Sequence, residues 1–395
     1  MFNPFVLQTL FSSLPAVLVS GLIPVLAGGM GLDLLQIGFF FMLVRFGLVF
    51  GSGVAPIFLK RLPPHVMGVL IEVFNAIISI VILISVTWGI EESFVLSGFF
   101  KGIFSGGLLV LRFSWLRKMP DNHASSRINI ITNALVQSGY GLVGVLILLA
   151  PSLQMAKTIL TIDIVTSLFG ALIFWSMKKY RVEPDVGQSK IKDWIGVFSK
   201  GVPRRFLTLG EWFLCLGMGG CNLMALKYGH ELFGKANGYG IALVLYGSCF
   251  YLGGVLINRY YKNKELRPNL LVMGALSVLL GVCIFALPYL ASLYSKMALF
   301  AFVFLLYPVI YLLFDGEWFR ISDQKEASLI ASGRMMYAQL LFGLGEVLYG
   351  WVLFDYPLRL ALLFLAGVVL VVMSKYLDRN PKIWNQGQAS EAESL

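Results

Sequence analysis

This sequence predicts an all-α membrane protein built as two similar bundles of six transmembrane helices, and three observations support that prediction. Hydrophobic residues make up 58% of the 395 and charged ones 13%, with a mean hydropathy of +0.80. Soluble domains carry about a quarter charged residues, so this chain is suited to a bilayer. Twelve apolar runs are long enough to cross one as helices, at about 20 residues each. The last six runs repeat landmarks of the first six.

In order, the runs extend over Pro4 to Leu26, Leu34 to Leu59, Val66 to Trp88, Phe94 to Leu116, Ile128 to Ala150, Thr158 to Met177, Phe206 to Leu226, Tyr239 to Asn258, Leu270 to Leu290, Met297 to Phe319, Leu329 to Phe354 and Leu358 to Met373. The first follows Met1-Phe2-Asn3 without the basic leader of a secretory signal peptide, so it is expected to be a retained span. The second is the most informative. From Ile37 to Arg61 it carries Arg45 in its middle, Gly51 and Gly53 as small residues for close helix packing, and Lys60-Arg61 at its end. An arginine at lipid depth costs about 2.5 to 3.5 kcal/mol on insertion scales, which argues that Arg45 has a use.

The formal net charge of +10 falls in short segments between the runs, where it sets orientation and does not form a nucleic-acid surface. Most of the 31 Lys and Arg residues lie in alternate connections: Lys60 and Arg61; Arg117, Lys118 and Arg127; the stretch from Lys178 to Arg205; Arg259 to Arg267; Arg320 and Lys325; and Lys375 to Lys382. That side is expected to be cytoplasmic, with both termini on it and the inner membrane as the location. Lys157, Lys227, Lys235, Lys296 and Arg359 fall on the other side, while Arg45, Lys101, Arg112 and Arg334 lie within runs.

The long basic connection divides the chain into a six-helix bundle over residues 1–179, a linker over 180–205, a second bundle over 206–376 and a tail over 377–395. Within the linker, Ile191, Trp194, Ile195 and Phe198 alternate with lysines in a spacing that suits an amphipathic helix on the membrane surface; a plain linker is the other reading. Gly53-Val54 superposes on Gly254-Val255, which sets Lys60-Arg61 beside the basic run from Arg259. After a short insertion, Trp115-Leu116-Arg117 falls on Trp318-Phe319-Arg320 and Ala124-Ser125 on Ala327-Ser328. Repeats of six spans keep the same orientation, so an axis along the membrane normal should relate them, with a cavity between them at mid-depth.

With twelve spans, this repeat and these basic connections, the chain resembles the major facilitator superfamily along its whole length. The signature of that family between spans two and three is a glycine, an aspartate and basic residues. Gly53 and Lys60-Arg61 fit it and Asn258-Arg259 echo it, but the aspartate is missing from both halves. In span four, laying Gly102 to Gly106 on the glycine-rich motif puts Gly98 where the family has arginine and Lys101 where it has glutamine. The span-five glycine-proline signature of drug:proton antiporters is absent from Gln137 to Gly141.

The resemblance implies a cavity lined by spans one, four, seven and ten, with help from two, five, eight and eleven. Arg45, Lys101 and Arg334 then become expected substrate-binding cations. Asn129, Asn133 and Gln137, at four-residue intervals on one face of span five, are expected neutral ligands. Tyr246, opposite Arg45 in the repeat, joins them. Arg45 thus has no basic counterpart, which argues against a purely architectural role.

Glu211 on span seven is the first choice for a proton-coupling carboxylate and Glu346 on span eleven the second, whereas Glu72 and Asp163 are expected to be structural partners. Gly53, Lys60, Arg61, Arg112, Asp315, Glu317, Arg320 and Arg259 are expected to serve gating or packing. Enzyme chemistry is not indicated: His65, His123 and His230 are far apart, there is no phosphate-cradling loop, and Cys215, Cys221, Cys249 and Cys283 lie in apolar runs as inert thiols.

The expected function is therefore a monomeric, proton-coupled secondary carrier without cofactor or metal. It would move a small or medium organic anion, such as a polycarboxylate or carboxylate siderophore, by rocking its two halves. Export is favoured by analogy with the many exporters that have degenerate signatures. The alternative is an efflux carrier for amphipathic or cationic drugs that uses Glu211 and aromatic rings. A non-transporting receptor or a lipid-modifying membrane enzyme forms a third class.

Overall fold

The computed structural model describes residues 4–32, 34–117, 122–149, 152–179, 198, 201–219, 228–229, 231–234, 238–262, 270–321, 326–351 and 356–379. These segments are helices joined by short turns. We number the long helices in chain order: α1 (residues 4–29, including a π-helical turn at Thr9–Ser13), α2 (Leu34–Arg61), α3 (Pro64–Trp88), α4 (Glu91–Arg117), α5 (Asn122–Leu149), α6 (Leu153–Ser176), α7 (Gly201–Met218), α8 (Gly238–Lys262), α9 (Leu270–Ala286), α10 (Leu293–Ile321), α11 (Ala327–Trp351) and α12 (Tyr356–Arg379). They form an all-α membrane fold of two six-helix bundles.

Local chemistry explains the boundaries. Pro63 and Pro64 start α3, where a missing N–H costs nothing, and Gly89 ends it in the left-handed region at φ 70°. Ser152 caps α6 by accepting from the Met155 amide at 3.1 Å. Among the described residues, ten helices are apolar and long enough to cross a membrane. The remaining two, α7 and α11, carry the buried charges Glu211 and Arg334, and their partners lie inside the protein.

The halves echo each other in packing, with α3 against α6 in the first and α9 against α12 in the second. They meet along two seams, α2 with α11 and α5 with α8. Glycines bring helices to backbone contact within and between the halves. A Cβ at Gly47 or Gly51 would run into the carbonyl oxygens of Phe99 or Ile103 on α4, and one at Gly102 into that of Val44 on α2. Gly53, singled out by its repeat, is buried on the same helix. Across the α5/α8 seam, Gly247 lies on the backbone of Gly141, and Gly144 on that of Gly240 and Val244. Small residues serve this purpose in membranes because bundles there are held together by close packing.

At the end of the bundle where the basic connections lie, the hydrophobic core crosses between the halves. Ala327 and Ala331 of α11 pack into one cluster with Ala55, Leu59, Leu111 and Trp115. Arg61 and Arg259 are exposed at this end and Lys60 is half-buried. The side chain of Arg320 lies outside the described residues.

Candidate functional site

A buried ionic group sits where α7, α10 and α11 converge. Arg334 donates from Nε and Nη2 to Glu211, with Nη2 to Oε1 at 2.6 Å, and from Nη1 to Asp315 Oδ1 at 2.7 Å. Glu211 also accepts from the Trp318 indole at 2.6 Å and from the Tyr337 hydroxyl. All three charged residues are about 3% exposed, so the guanidinium works at low dielectric against two acids. Glu211 therefore faces Arg334 directly, and that arginine is engaged by carboxylates of its own half.

Asp315 reaches across to the first half. Its Oδ2 accepts from the amides of Asn129 and Asn133 on α5, each at 2.6 Å. One turn further on, Gln137 Oε1 accepts from the Tyr246 hydroxyl at 3.3 Å. The three amides at four-residue spacing thus all point towards the second half. Tyr246 begins a band of rings: Tyr140 lies edge-on to it at 5.6 Å, Phe250 follows at 4.9 Å, and Tyr307 and Tyr311 pack on Phe250 at 6.0 and 6.1 Å. Phe250 is buried, while the four tyrosines are half-buried along the meeting faces.

Arg45 crosses the other seam. Its Nη1 donates to Gln339 Oε1 on α11 at 2.6 Å, and its guanidinium carbon stands 5.8 Å from the centre of the Phe342 ring. Lys101, expected beside Arg45, is placed elsewhere. Its ammonium lies 2.9 Å from Asp163 Oδ2 and 3.1 Å from Ser79 Oγ, in the packed interior formed by α3, α4 and α6. The face of α4 that carries Lys101 turns towards those helices. Arg112, expected to serve gating or packing, is likewise interior and donates to Gln8 and Ser13 of α1. Glu317 is buried on α10, and the Glu346 side chain lies outside the described residues.

Lys101→Met is therefore expected to cost about 3–5 kcal/mol by stranding Asp163, as lone removal from buried pairs does. Lys101→Met/Asp163→Leu should recover most of the loss, and thermal unfolding in detergent micelles measures both.

Several site residues escaped a reading centred on ionisable groups: Gln339, Trp318, Tyr337, Phe342 and Tyr140. One signal was available for Tyr337, which follows Arg334 by three positions and so shares its helix face. Phe198 of the linker also belongs here. Its half-buried ring packs at 5.5 Å from Trp318 and 5.4 Å from Tyr337, over Gly333, where a Cβ would strike it. Of the four apolar linker residues, Ile191, Trp194 and Ile195 lie outside the described residues.

No protein-family model and no curated protein matches this chain. Solved structures do match it along its length. The E. coli fucose:proton symporter, a major facilitator superfamily transporter, in its outward conformation gives a TM-score of 0.74 at 15% identity over 95% of this chain and 98% of that one. A bacterial homologue of the iron transporter ferroportin, outward-facing, gives 0.73 at 14% identity over 95% and 100%. The human organic anion transporter gives 0.65 at 12% over 94% and 98%. The landmarks repeated at Trp115 and Trp318, the seams α2/α11 and α5/α8 and this full-length likeness lead to one conclusion: the chain has the fold of the major facilitator superfamily transporters.

Proposed function

We propose that the protein is a proton-coupled secondary carrier for a small organic anion, and that Arg45 is the group that recognises the negative charge. The observation that carries this reading is the position of Arg45 on the seam between the halves, joined to α11 by Gln339 and Phe342. A cation there is reached by both bundles, whereas Lys101 and Arg334 are engaged by carboxylates of their own half. The ion pairs that hold Lys101 and Arg334 favour a solute with one anionic group over a polycarboxylate. The tyrosine band beside the seam suits an apolar or aromatic body next to that charge.

Alternating access follows from the bonds at the basic end, taken as cytoplasmic, with both termini on that side of the inner membrane. Asp315 with Asn129 and Asn133, and the alanine contacts of α11, hold the halves together there. Releasing them would let the bundles rock about a site near Arg45 and Tyr246.

Reconstituted protein should accumulate a labelled aromatic monocarboxylate when a pH gradient is imposed. Arg45→Ala should weaken its apparent affinity about ten- to hundredfold, the loss expected for a charge-assisted contact of about 1.5–3 kcal/mol. Unchanged anion flux in that variant would remove Arg45 from the site. Uptake of lipophilic cations with no anion flux would favour the drug carrier, a reading that draws on the same rings and on Arg334 being outnumbered by two acids.

A further inference from the structure

The first half holds a second buried polar cluster, to which the site above assigns no task. Glu72 on α3 is fully buried. Both of its oxygens lie 2.6 Å from Ser12 Oγ, and Oε1 also accepts from Gln8 Nε2 at 2.7 Å. Gln8 turns its own oxygen to Arg112 Nη2 at 2.7 Å, and the same nitrogen donates to Ser13. The charged groups that face Glu72 from the neighbouring helices are Arg112 on α4 and Asp163 on α6. Asp163 is held by Lys101. Among the hydrogen bonds of the described residues, Glu72 is joined to Arg112 through the Gln8 amide.

The contrast with Glu211 decides which acid can change its charge. A proton on Glu211 would have to displace a forked guanidinium, an indole and a phenol. A proton on Glu72 breaks no contact ion pair. It removes a buried charge and asks Ser12 to rotate, since a hydroxyl accepts as readily as it donates. Water is excluded on the α6 side, where a Cβ on Gly170 would come within 3.0 Å of the carboxylate and 2.9 Å of Ser12.

The partners of Glu72 also lie on an unusual piece of backbone. Ser12 and Ser13 belong to the π-helical turn Thr9–Ser13 and Gln8 immediately precedes it. Such a turn holds one extra residue within a helix and recurs at functional sites.

We propose that Glu72 is the site that binds and releases the coupling proton, and that the Gln8/Ser12/Ser13 turn passes its charge state to α1. With Glu72 ionised, Ser12 and Gln8 donate to it, and the Gln8 oxygen is left for Arg112. With Glu72 protonated, the carboxyl becomes a donor, the hold on Ser12 and Gln8 is released, and the π turn can re-register. A single proton moves, and no covalent bond other than the new O–H is made or broken. This inference rests on the proton-coupled carrier reading, so its test includes a measurement that needs no transported solute.

Infrared difference spectra of the protein in liposomes, stepped from alkaline to acid pH, should show a protonated-carboxyl band. The band should be missing in Glu72→Gln and present in Glu211→Gln. Ser12→Ala, which leaves the carboxyl in place, should keep the band and shift its midpoint several-fold in proton concentration. In flux assays Glu72→Gln should lose accumulation driven by a pH gradient while retaining counterflow exchange, which also shows that the variant is folded. Persistence of the band in Glu72→Gln overturns the proposal, as does full gradient-driven accumulation by that variant. Loss of the band in Glu72→Gln, together with wild-type protein that moves no solute under a pH gradient, supports the proton site and instead overturns the carrier reading.

Discussion

Arg334→Met is expected to destabilise the protein by about 3–5 kcal/mol, the cost of breaking a buried ion pair from one side. The guanidinium neutralises Glu211 and Asp315 together and is 3% exposed, so no solvent takes over when it is removed. Methionine fills a similar volume, which confines the effect to charge and hydrogen bonding. Both carboxylates remain in the variant, and Glu211 keeps only the indole and the phenol. Arg334→Met/Glu211→Gln/Asp315→Asn should therefore recover much of the loss, because neutral amides remove the stranded charges. Thermal unfolding in detergent, followed by intrinsic fluorescence, reads the ranking. A single variant as stable as wild type would show that the trio is not a cohesive unit.

In the carrier proposed above, Gly247→Val should strongly impair transport. Gly247 of α8 rests on the backbone of Gly141 in α5, and a side chain would enter the space of the Gly141 nitrogen and the Ser138 carbonyl oxygen. Backbone cannot rotate aside as a side chain can, so the seam must open or the helices must bend. Overpacking of this kind costs about 1–3 kcal/mol and sometimes more. Flux should fall at least about tenfold, a change of about 1.4 kcal/mol in barrier, because the displaced seam also carries Gln137 and Tyr246. Gly253→Ala on the same helix is the control. Its new methyl would stand 3.4 Å from Pro308, an ordinary contact, and flux should be nearly unchanged.

What could be read from the sequence was depth, face and repetition. Asn129, Asn133 and Gln137 were placed on one face by spacing alone, and Trp115 and Trp318 marked equivalent points of the two halves. Both indoles are buried. Partner identity was out of reach, because hydropathy fixes how deep Lys101 lies but not that Asp163, on a helix far along the chain, stands opposite. Arg334 was read as a substrate cation for the same reason: Glu211 is distant in sequence, and only tertiary packing brings the two to 2.6 Å. The repeat itself marks this difference between the halves. Arg112 stands three residues before Trp115 and Asp315 three before Trp318, so equivalent positions carry opposite charges within two separately organised polar interiors.

The polar bonds described above that cross between the halves share one chemistry: Asp315 with Asn129 and Asn133, Arg45 with Gln339, and Tyr246 with Gln137 each join a charge or hydroxyl to a neutral amide. The contact pairs of opposite charge described above, Lys101 with Asp163 and Arg334 with Glu211 and Asp315, each lie within one half. Separating such a pair in a medium of low dielectric would demand far more than the roughly 1.5–3 kcal/mol of a charged hydrogen bond. In the carrier proposed above, the division would work like a clutch: the ion pairs just named would travel with their own halves, and the amide bonds between the halves would break and remake on every turnover.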